Sequence, residues 1–155
     1  MKHLIGIADT TFARIDLAKF AIQYFEKNLL NAELTRYTVP GIKDLPVAVK
    51  KLLDSGCEAA MAFGMPGSES IDKQCAHEAS LGIIMAQLMT GKHVLEVFIH
   101  ADEVEDEQKL YNLSLDRARK HAQNLILLLQ KPDTLTRQAG QGKRQGVSDV
   151  GSINV

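Results

Sequence analysis

Hydrophobic residues along this chain form two alternating kinds of pattern, and together they predict its secondary structure. Three short runs, at residues 3–8, 58–63 and 94–99, are almost continuously apolar, which is typical of buried strands. A further strand is predicted at residues 34–39, where Pro40-Gly41 ends it. Each predicted strand is followed by a longer segment in which apolar residues recur every three or four positions, as on one face of a helix. The predicted helices begin near residues 17, 45, 72 and 105 and end near residues 28, 54, 89 and 130.

This order of elements predicts an α/β fold, because short strands that alternate with helices form a parallel sheet covered on both faces. The expected architecture is a three-layer α/β/α sandwich with a four-stranded sheet, spanning residues 1–132 as one domain. Residues 133–155 follow Lys131-Pro132 and are rich in glycine and polar side chains, so they are expected to form an extended or partly disordered tail. Ligands of such sheets bind at the carboxyl ends of the strands, here residues 9–13, 40–46, 64–72 and 100–103.

Composition narrows the classes of function. The net charge of −1 gives no general attraction to nucleic acid or to anionic membranes, so neither is an expected partner. The first apolar run is too short for a signal peptide. Cys57 and Cys75 lack the spacing of a metal motif and are expected to be free thiols in a reducing compartment rather than a disulfide or metal site. The expected location is the cytoplasm, and no histidine spacing indicates a metal ligand.

The segment from Thr38 to Lys51, Thr-Val-Pro-Gly-Ile-Lys-Asp-Leu-Pro-Val-Ala-Val-Lys-Lys, carries the most specific motif. Gly41 allows a ligand to approach the backbone, and the first N–H groups of a helix are free donors. The Asp44 carboxylate is suited to accept hydrogen bonds from a polyol, although a helix N-cap is the simpler role for it.

This segment resembles the strand-to-helix turn of lumazine synthases, and the resemblance covers about residues 3–125. Supporting matches are Ile5-Gly6-Ile7 followed by Phe12, Phe63-Gly64, and the stretch from Cys75 to Ile83. The resemblance implies a lumazine-synthase-like fold of flavodoxin-like topology, in which Phe12 stacks on a pteridine ring. By this resemblance the residues expected to bind substrate are Thr11, Phe12, Pro40, Gly41, Ile42, Lys43, Asp44, Gly64, Met65 and Pro66.

One departure from lumazine synthases changes the expected reaction. Their Arg-Gly-x-Thr-x-His-Tyr-Asp run, which binds the phosphate of a four-carbon co-substrate, is replaced by residues 65–74, which contain neither Arg nor His. A phosphate ester binds poorly without such donors. The chain is similar to archaeal riboflavin synthases in this interval, and its tail is also similar to theirs. That resemblance implies dismutation of two 6,7-dimethyl-8-ribityllumazine molecules to riboflavin and 5-amino-6-ribitylaminopyrimidinedione, without a redox cofactor.

His77 and Glu96 are the catalytic residues that we expect from the sequence. Glu96 lies inside an apolar strand, where a carboxylate needs a partner, and His77 replaces an Asn of the lumazine synthases. A helix histidine bonded to a backbone carbonyl is the alternative for His77. Asp72, Glu78 and His100 are further candidates for proton transfer.

The sequence also favours a homo-oligomer. Apolar residues along the last helix form a seam of Tyr111, Leu115, Ala118, Ala122, Leu125 and Leu129, which predicts either a subunit interface or packing on the chain's own sheet. The resemblance implies a cyclic homopentamer in which Glu96 of one subunit faces the Phe12 and Gly41 region of the next. Two rival functions remain: a lumazine synthase with an altered phosphate site, and a non-catalytic carrier of flavin or lumazine.

Overall fold

The computed structural model describes residues 1–155, and all four predicted strands and all four predicted helices are present. The strands are β1 (His3–Thr10), β2 (Ala32–Val39), β3 (Ala59–Gly64) and β4 (Val94–Phe98). The helices are α1 (Leu17–Asn28), α2 (Leu45–Asp54), α3 (Ser70–Thr90), α4 (Glu107–Gln130) and a short α5 (Pro132–Arg137), and a 3₁₀ turn, Ile42–Asp44, precedes α2.

The strands form one parallel sheet in the order β2-β1-β3-β4. This is the flavodoxin-like strand order. Helices α1 and α4 cover one face and helices α2 and α3 cover the other, so the predicted three-layer α/β fold is confirmed. With the carboxyl ends of all four strands at one edge, the loops after β1, β2 and β3 lie side by side.

The two faces of the sheet differ in residue size, because successive side chains of a strand point to opposite sides. Large residues such as Ile7 and Phe63 pack toward α1 and α4. The other face carries small residues, and a Cβ at Gly6 would lie 2.8 Å from the Cβ of Leu52 in α2. Helix α3 approaches α2 as closely, since a Cβ at Gly82 would lie 2.6 Å from Pro46. Because α2 packs this closely on the sheet, the turn that begins α2 lies at the carboxyl edge of the sheet.

The C-terminal half of the seam on α4 packs on the chain's own sheet, which favours the second of the two alternatives drawn from the sequence. Ala118, Ala122 and Leu125 are fully buried against the chain's own sheet. The ring of Tyr111 stacks edge-on against Phe20 of α1 at 5.3 Å between centroids. Exposed apolar side chains instead cluster on α3, with one on α2, and they are Val47, Ile71, Leu81, Ile84, Met85, Leu88 and Met89.

The C-terminal tail is more structured than its composition predicted. Pro132–Arg137 forms α5, with proline in the first turn, where its missing N–H costs no helical hydrogen bond. From residue 138 onward there is no helix or strand, yet Gly146 is buried against α4. None of the helices combines the length and the apolar character needed to cross a membrane.

Candidate active site

A cleft of about 270 Å³ opens at the carboxyl edge of the sheet, where the loops after β1, β2 and β3 meet the start of α3. Its position follows the rule for parallel sheets, and it lies beside the point where the strand order reverses. Seven of the ten predicted substrate-binding residues line it: Phe12, Gly41, Ile42, Lys43, Asp44, Met65 and Pro66. Thr10, Gly67, Asp72 and Cys75 complete the lining.

Asp44 closes the turn backward rather than capping α2 as an N-cap carboxylate would. Its Oδ2 accepts a hydrogen bond from the backbone N–H of Gly41 at 3.1 Å, and it makes no side-chain cap to α2. The side chain is exposed, and a carboxylate has further lone pairs beyond that one bond. Asp44 is therefore placed to accept hydrogen bonds from hydroxyl groups of a ligand in the cleft.

Lys43 joins the turn to α3. Its Nζ lies 2.7 Å from Oε2 of Glu78. The hydrogen bond to Glu78 raises the pKa of Lys43, and the same bond lowers the pKa of Glu78. Because this ammonium is already paired, the cleft has no free cation of its own to hold a phosphate.

The loop that carries Phe12 is tied through Thr11 to the end of β2 and the turn that follows it. The Thr11 N–H donates to the carbonyl of Val39 at 2.9 Å, and its hydroxyl donates to the carbonyl of Pro40 at 3.3 Å. Phe12 itself is 64% exposed, although aromatic rings are mostly buried in proteins. A flat ligand ring that stacks on it would cover that exposed face.

Arg36 provides the second tie, which the sequence analysis did not identify. Its Nη2 donates to Oδ2 of Asp9 at 2.5 Å and to Oδ1 of Asp16 at 2.8 Å. The hydroxyl of Thr38 donates to the other oxygen of Asp9 at 2.6 Å. The hydrogen bond with Asp9 raises the pKa of Arg36. An acid at the end of a buried strand was the available signal, since a buried carboxylate needs a partner.

Three predicted substrate-binding residues do not line the cleft. Thr11 lines a neighbouring pocket beside Arg36, and Pro40 contributes the carbonyl that holds Thr11. Gly64 lies beneath the cleft, where a Cβ would be 3.0 Å from Phe98 and 3.1 Å from Ile42. From these contacts, Thr11 and Pro40 shape the loop and the turn that border the cleft, and Gly64 shapes its floor.

At the start of α3, a carboxylate of the chain itself accepts a hydrogen bond from a backbone N–H that could otherwise bind an anion. Oδ2 of Asp72 accepts a hydrogen bond from the N–H of Glu69 at 3.1 Å. A helix N-terminus ordinarily attracts phosphate through such N–H groups. The interval that replaces the Arg-Gly-x-Thr-x-His run of lumazine synthases therefore places a carboxylate against these donors.

The two predicted catalytic residues lie outside the cleft, in a second cavity of about 480 Å³ on the other side of α3. Asp72 and Cys75 point from α3 toward the cleft, whereas His77 and Ser80 line the second cavity with Glu96 of β4. Residues three or four apart share one face of a helix, so α3 separates the two groups. Within one chain, His77 and Glu96 are not brought to Phe12.

Glu96 and His121 give the second cavity its electrostatic character. Burial raises the pKa of Glu96, and the hydrogen bond donated by the Ser80 hydroxyl partly opposes that rise. Burial, and then the positive charge of Arg117, lowers the pKa of His121 to about 4. The Nδ1 atoms of His100 and His121 are buried without a hydrogen-bond partner. A carboxyl group with a raised pKa is suited to exchange a proton near neutral pH.

Neither cavity presents a metal centre, since no three His, Cys, Asp or Glu side chains converge as metal ligands would. Fold and cleft together define an α/β protein with a ligand-sized cleft at the carboxyl edge of its parallel sheet. The family model for 6,7-dimethyl-8-ribityllumazine synthase matches residues 3–132. The chain belongs to this family.

The curated relatives carry a more specific name. A protein of Methanothermobacter thermautotrophicus named riboflavin synthase is 57% identical over 150 residues, which cover 96% of this chain and 98% of that protein. Proteins with the same name from Archaeoglobus fulgidus and Aeropyrum pernix are 47% and 44% identical over 150 and 154 residues. These two matches cover 96% and 99% of this chain, and 97% and 99% of the relatives. Because of this coverage, the similarity extends into the tail beyond the family model.

Proposed function

We propose that the protein is a riboflavin synthase that converts two 6,7-dimethyl-8-ribityllumazine molecules into riboflavin and 5-amino-6-ribitylaminopyrimidinedione. One molecule gives its four-carbon unit to the other, so the reaction balances without an oxidant, a reductant or a cofactor. The observation that carries the proposal is the cleft: it keeps an exposed aromatic ring and a polyol acceptor, Phe12 and Asp44. At the start of α3 the carboxylate of Asp72 accepts the N–H of Glu69, and the one lysine of the cleft, Lys43, is paired with Glu78, so the cleft is poorly suited to a phosphate. The name of the relatives agrees with this reading.

The chain's main contribution is to hold two rings together. Stacking on Phe12 would fix one ring, and Asp44 with the turn at Gly41 would hold its ribityl chain. Alignment of two reactants can lower a barrier by up to about 7–11 kcal/mol. The ring system supplies much of the remaining reactivity, because the methyl group on its carbon 7 is unusually acidic.

We propose that proton transfer comes from the second cavity of a neighbouring subunit. Helix α3 stands between the cleft and the second cavity in one chain, so Phe12 and Glu96 meet most directly across a subunit boundary. Glu96 would move the protons, with His77 beside it. The exposed apolar side chains of α3 support an interface on this side of the molecule. A cyclic homopentamer is the proposed assembly.

The test is to incubate the purified protein with ribityllumazine alone and to follow riboflavin by its fluorescence. Formation of riboflavin and pyrimidinedione in equal amounts is the expected result. A lumazine synthase would consume pyrimidinedione and a four-carbon phosphate instead, and would produce ribityllumazine. A carrier would bind ribityllumazine without turnover, and either outcome would refute the proposed reaction.

A further inference from the structure

The C-terminal tail contacts α4 at Gly146. Gly146 is the one buried residue between positions 139 and 155. Its carbonyl accepts a hydrogen bond from Nε of Arg117 at 3.2 Å, and Nη1 of Arg117 donates to both carboxylate oxygens of Glu103, at 3.0 and 2.8 Å. These three residues, Gly146, Arg117 and Glu103, are called the tail latch below.

Two properties of Gly146 make the tail latch specific for glycine. Its φ of +75° lies in the left-handed region, which side chains rarely adopt. A Cβ there would lie 2.8 Å from Cγ of Arg117 and 3.0 Å from Nε2 of His121. Gly140 and Gly151 have nearly the same φ, +78° and +79°, but a Cβ at either would have no atom within 4 Å. Gly142, with a φ of +65°, also has close contacts, but they are with Val150 and Gly151 of the tail itself, so only Gly146 combines this backbone conformation with a close contact to α4.

The residues on either side of the latch complete a cavity that already holds the predicted catalytic groups. Gln145 and Val147 line the second cavity together with His77 and Glu96. Residues 145 and 147 follow α4 in the sequence, so the tail must pass across α4 to reach the cavity beside β4.

The charges of the second cavity indicate what it accepts. Arg117 is engaged by Glu103, and Lys73 pairs with Asp102 at 2.8 Å. No cation is left free among its lining residues. The chemistry that remains, hydroxyl, imidazole, amide and a carboxyl group with a raised pKa, suits a neutral ring with hydrogen-bonding edges rather than a phosphate ester.

The tail and the rest of the fold differ in which known proteins share them. The lumazine synthase family model ends at residue 132. The proteins named riboflavin synthase match 96–99% of the chain, which includes most of the tail. The tail is thus shared with these relatives and lies outside the common domain.

We propose that the C-terminal tail is a wall of the active site, which the tail latch holds in place so that the second cavity receives the second ribityllumazine. This inference rests on the proposed function and adds a specificity-determining element to it. Arg117 and Gly146 are positioning residues, because they act through the shape of the cavity.

The experiment compares Gly146→Ala with Gly140→Ala, since both place alanine at the same backbone conformation and only the first meets α4. We expect Gly140→Ala to keep wild-type turnover and Gly146→Ala to lose at least tenfold in kcat. Titration with ribityllumazine, followed by its fluorescence, should show the same affinity for the first molecule in both variants. Equal kcat values in the two folded variants would overturn the proposal.

A second pair of variants avoids any effect on folding. Val147 and Ile153 are 49% and 92% exposed, so Val147→Trp fills the cavity from its wall while Ile153→Trp alters only the surface. The first should lower kcat at least tenfold with an unchanged melting temperature, and the second should not. If both turn over equally, the tail is no part of the site. If the wild-type protein itself forms no riboflavin from ribityllumazine, the proposed function fails first, and this inference falls with it.

Discussion

The cleft and the second cavity are built in different ways. Most of the cleft comes from two short turns, Gly41–Asp44 and Met65–Gly67. In the first turn Asp44 accepts a hydrogen bond from the N–H of Gly41, and just after the second turn Asp72 accepts one from the N–H of Glu69. The second cavity draws on α3, β4, α4 and the tail, over more than 70 positions of the sequence. The cleft draws on loops of the first half of the chain, from Thr10 to Cys75, whereas the second cavity also needs α4 and the tail to pack beside α3 and β4. We infer from this difference that the cleft binds the ligand, whereas the second cavity determines which reaction the domain catalyses.

From this division of roles between the cleft and the second cavity, we expect Glu96 to affect turnover and to leave the affinity for substrate nearly unchanged. Glu96→Gln keeps the bond from Ser80 within reach but removes the proton. We expect a loss of about 10²–10⁴-fold in kcat, the usual contribution of a general acid or base, with a KM within about twofold of wild type. Glu33→Gln, at an exposed position of β2, is the matched control. A Glu96→Gln enzyme with wild-type kcat would remove proton transfer from the second cavity.

The cleft should show the opposite behaviour. Asp44→Ala removes a charged acceptor, and a hydrogen bond to a charged group contributes about 1.5–3 kcal/mol. We therefore expect the dissociation constant of a ribityl analogue to rise by about 10–100-fold. Asp54→Ala, at the exposed far end of α2, controls for loss of a surface carboxylate. Unchanged affinity in a folded Asp44→Ala protein would exclude Asp44 from the ligand site.

Arg36 tests whether the Phe12 loop needs its second tie. Arg36→Leu leaves Asp9 with a single donor, Thr38, and frees Asp16. We expect KM to rise about tenfold, equivalent to about 1.4 kcal/mol, and Arg36→Lys to restore part of it. Arg14→Leu breaks the exposed pair with Glu107 and serves as the control on the same loop. Equal KM values for the Arg36 and Arg14 variants would show that the tie is not needed.

His121 offers the smallest effect, a dependence of stability on pH. Its pKa is about 4 in the folded protein against 6.5 for the free side chain, so the unfolded chain binds more protons between these values. The free energy of unfolding should therefore fall as the pH is lowered, by about 1 kcal/mol between pH 6.5 and pH 5.5 from this group. Urea unfolding of His121→Gln should lack that part of the decline. The exposed His93→Gln should keep it, and identical pH profiles for the two variants would contradict the assignment.

The parts that the sequence predicted are those fixed by local patterns. Strands β1, β3 and β4 follow from nearly continuous apolar runs, and the largest contiguous part of the cleft, Gly41–Asp44, is a turn whose residues are adjacent in the chain. The packing of a helix in the tertiary structure was harder to predict from the sequence. The seam on α4 had the same spacing whether it packed on a neighbour or on its own sheet, and the buried Ala118 and Ala122 show the latter.

Two further differences have local physical causes. Asp44 was expected to cap α2, but a 3₁₀ turn intervenes, and its carboxylate reaches Gly41 instead. The tail has no hydrophobic period because its contact with α4 is made by a glycine backbone and an arginine fork. Hydrophobic patterns cannot reveal such a contact.

The central claim is that the cleft of one subunit and the second cavity of its neighbour form one site, and mixed oligomers test it most directly. Asp44→Ala and Glu96→Gln subunits would be mixed in equal amounts, exchanged under conditions that light scattering confirms, and assayed at low ribityllumazine concentration. In a cyclic assembly about one interface in four would then pair an intact cleft with an intact cavity. We expect riboflavin formation to recover to about a quarter of the wild-type rate. A mixture no more active than the two variants assayed apart would contradict the shared site.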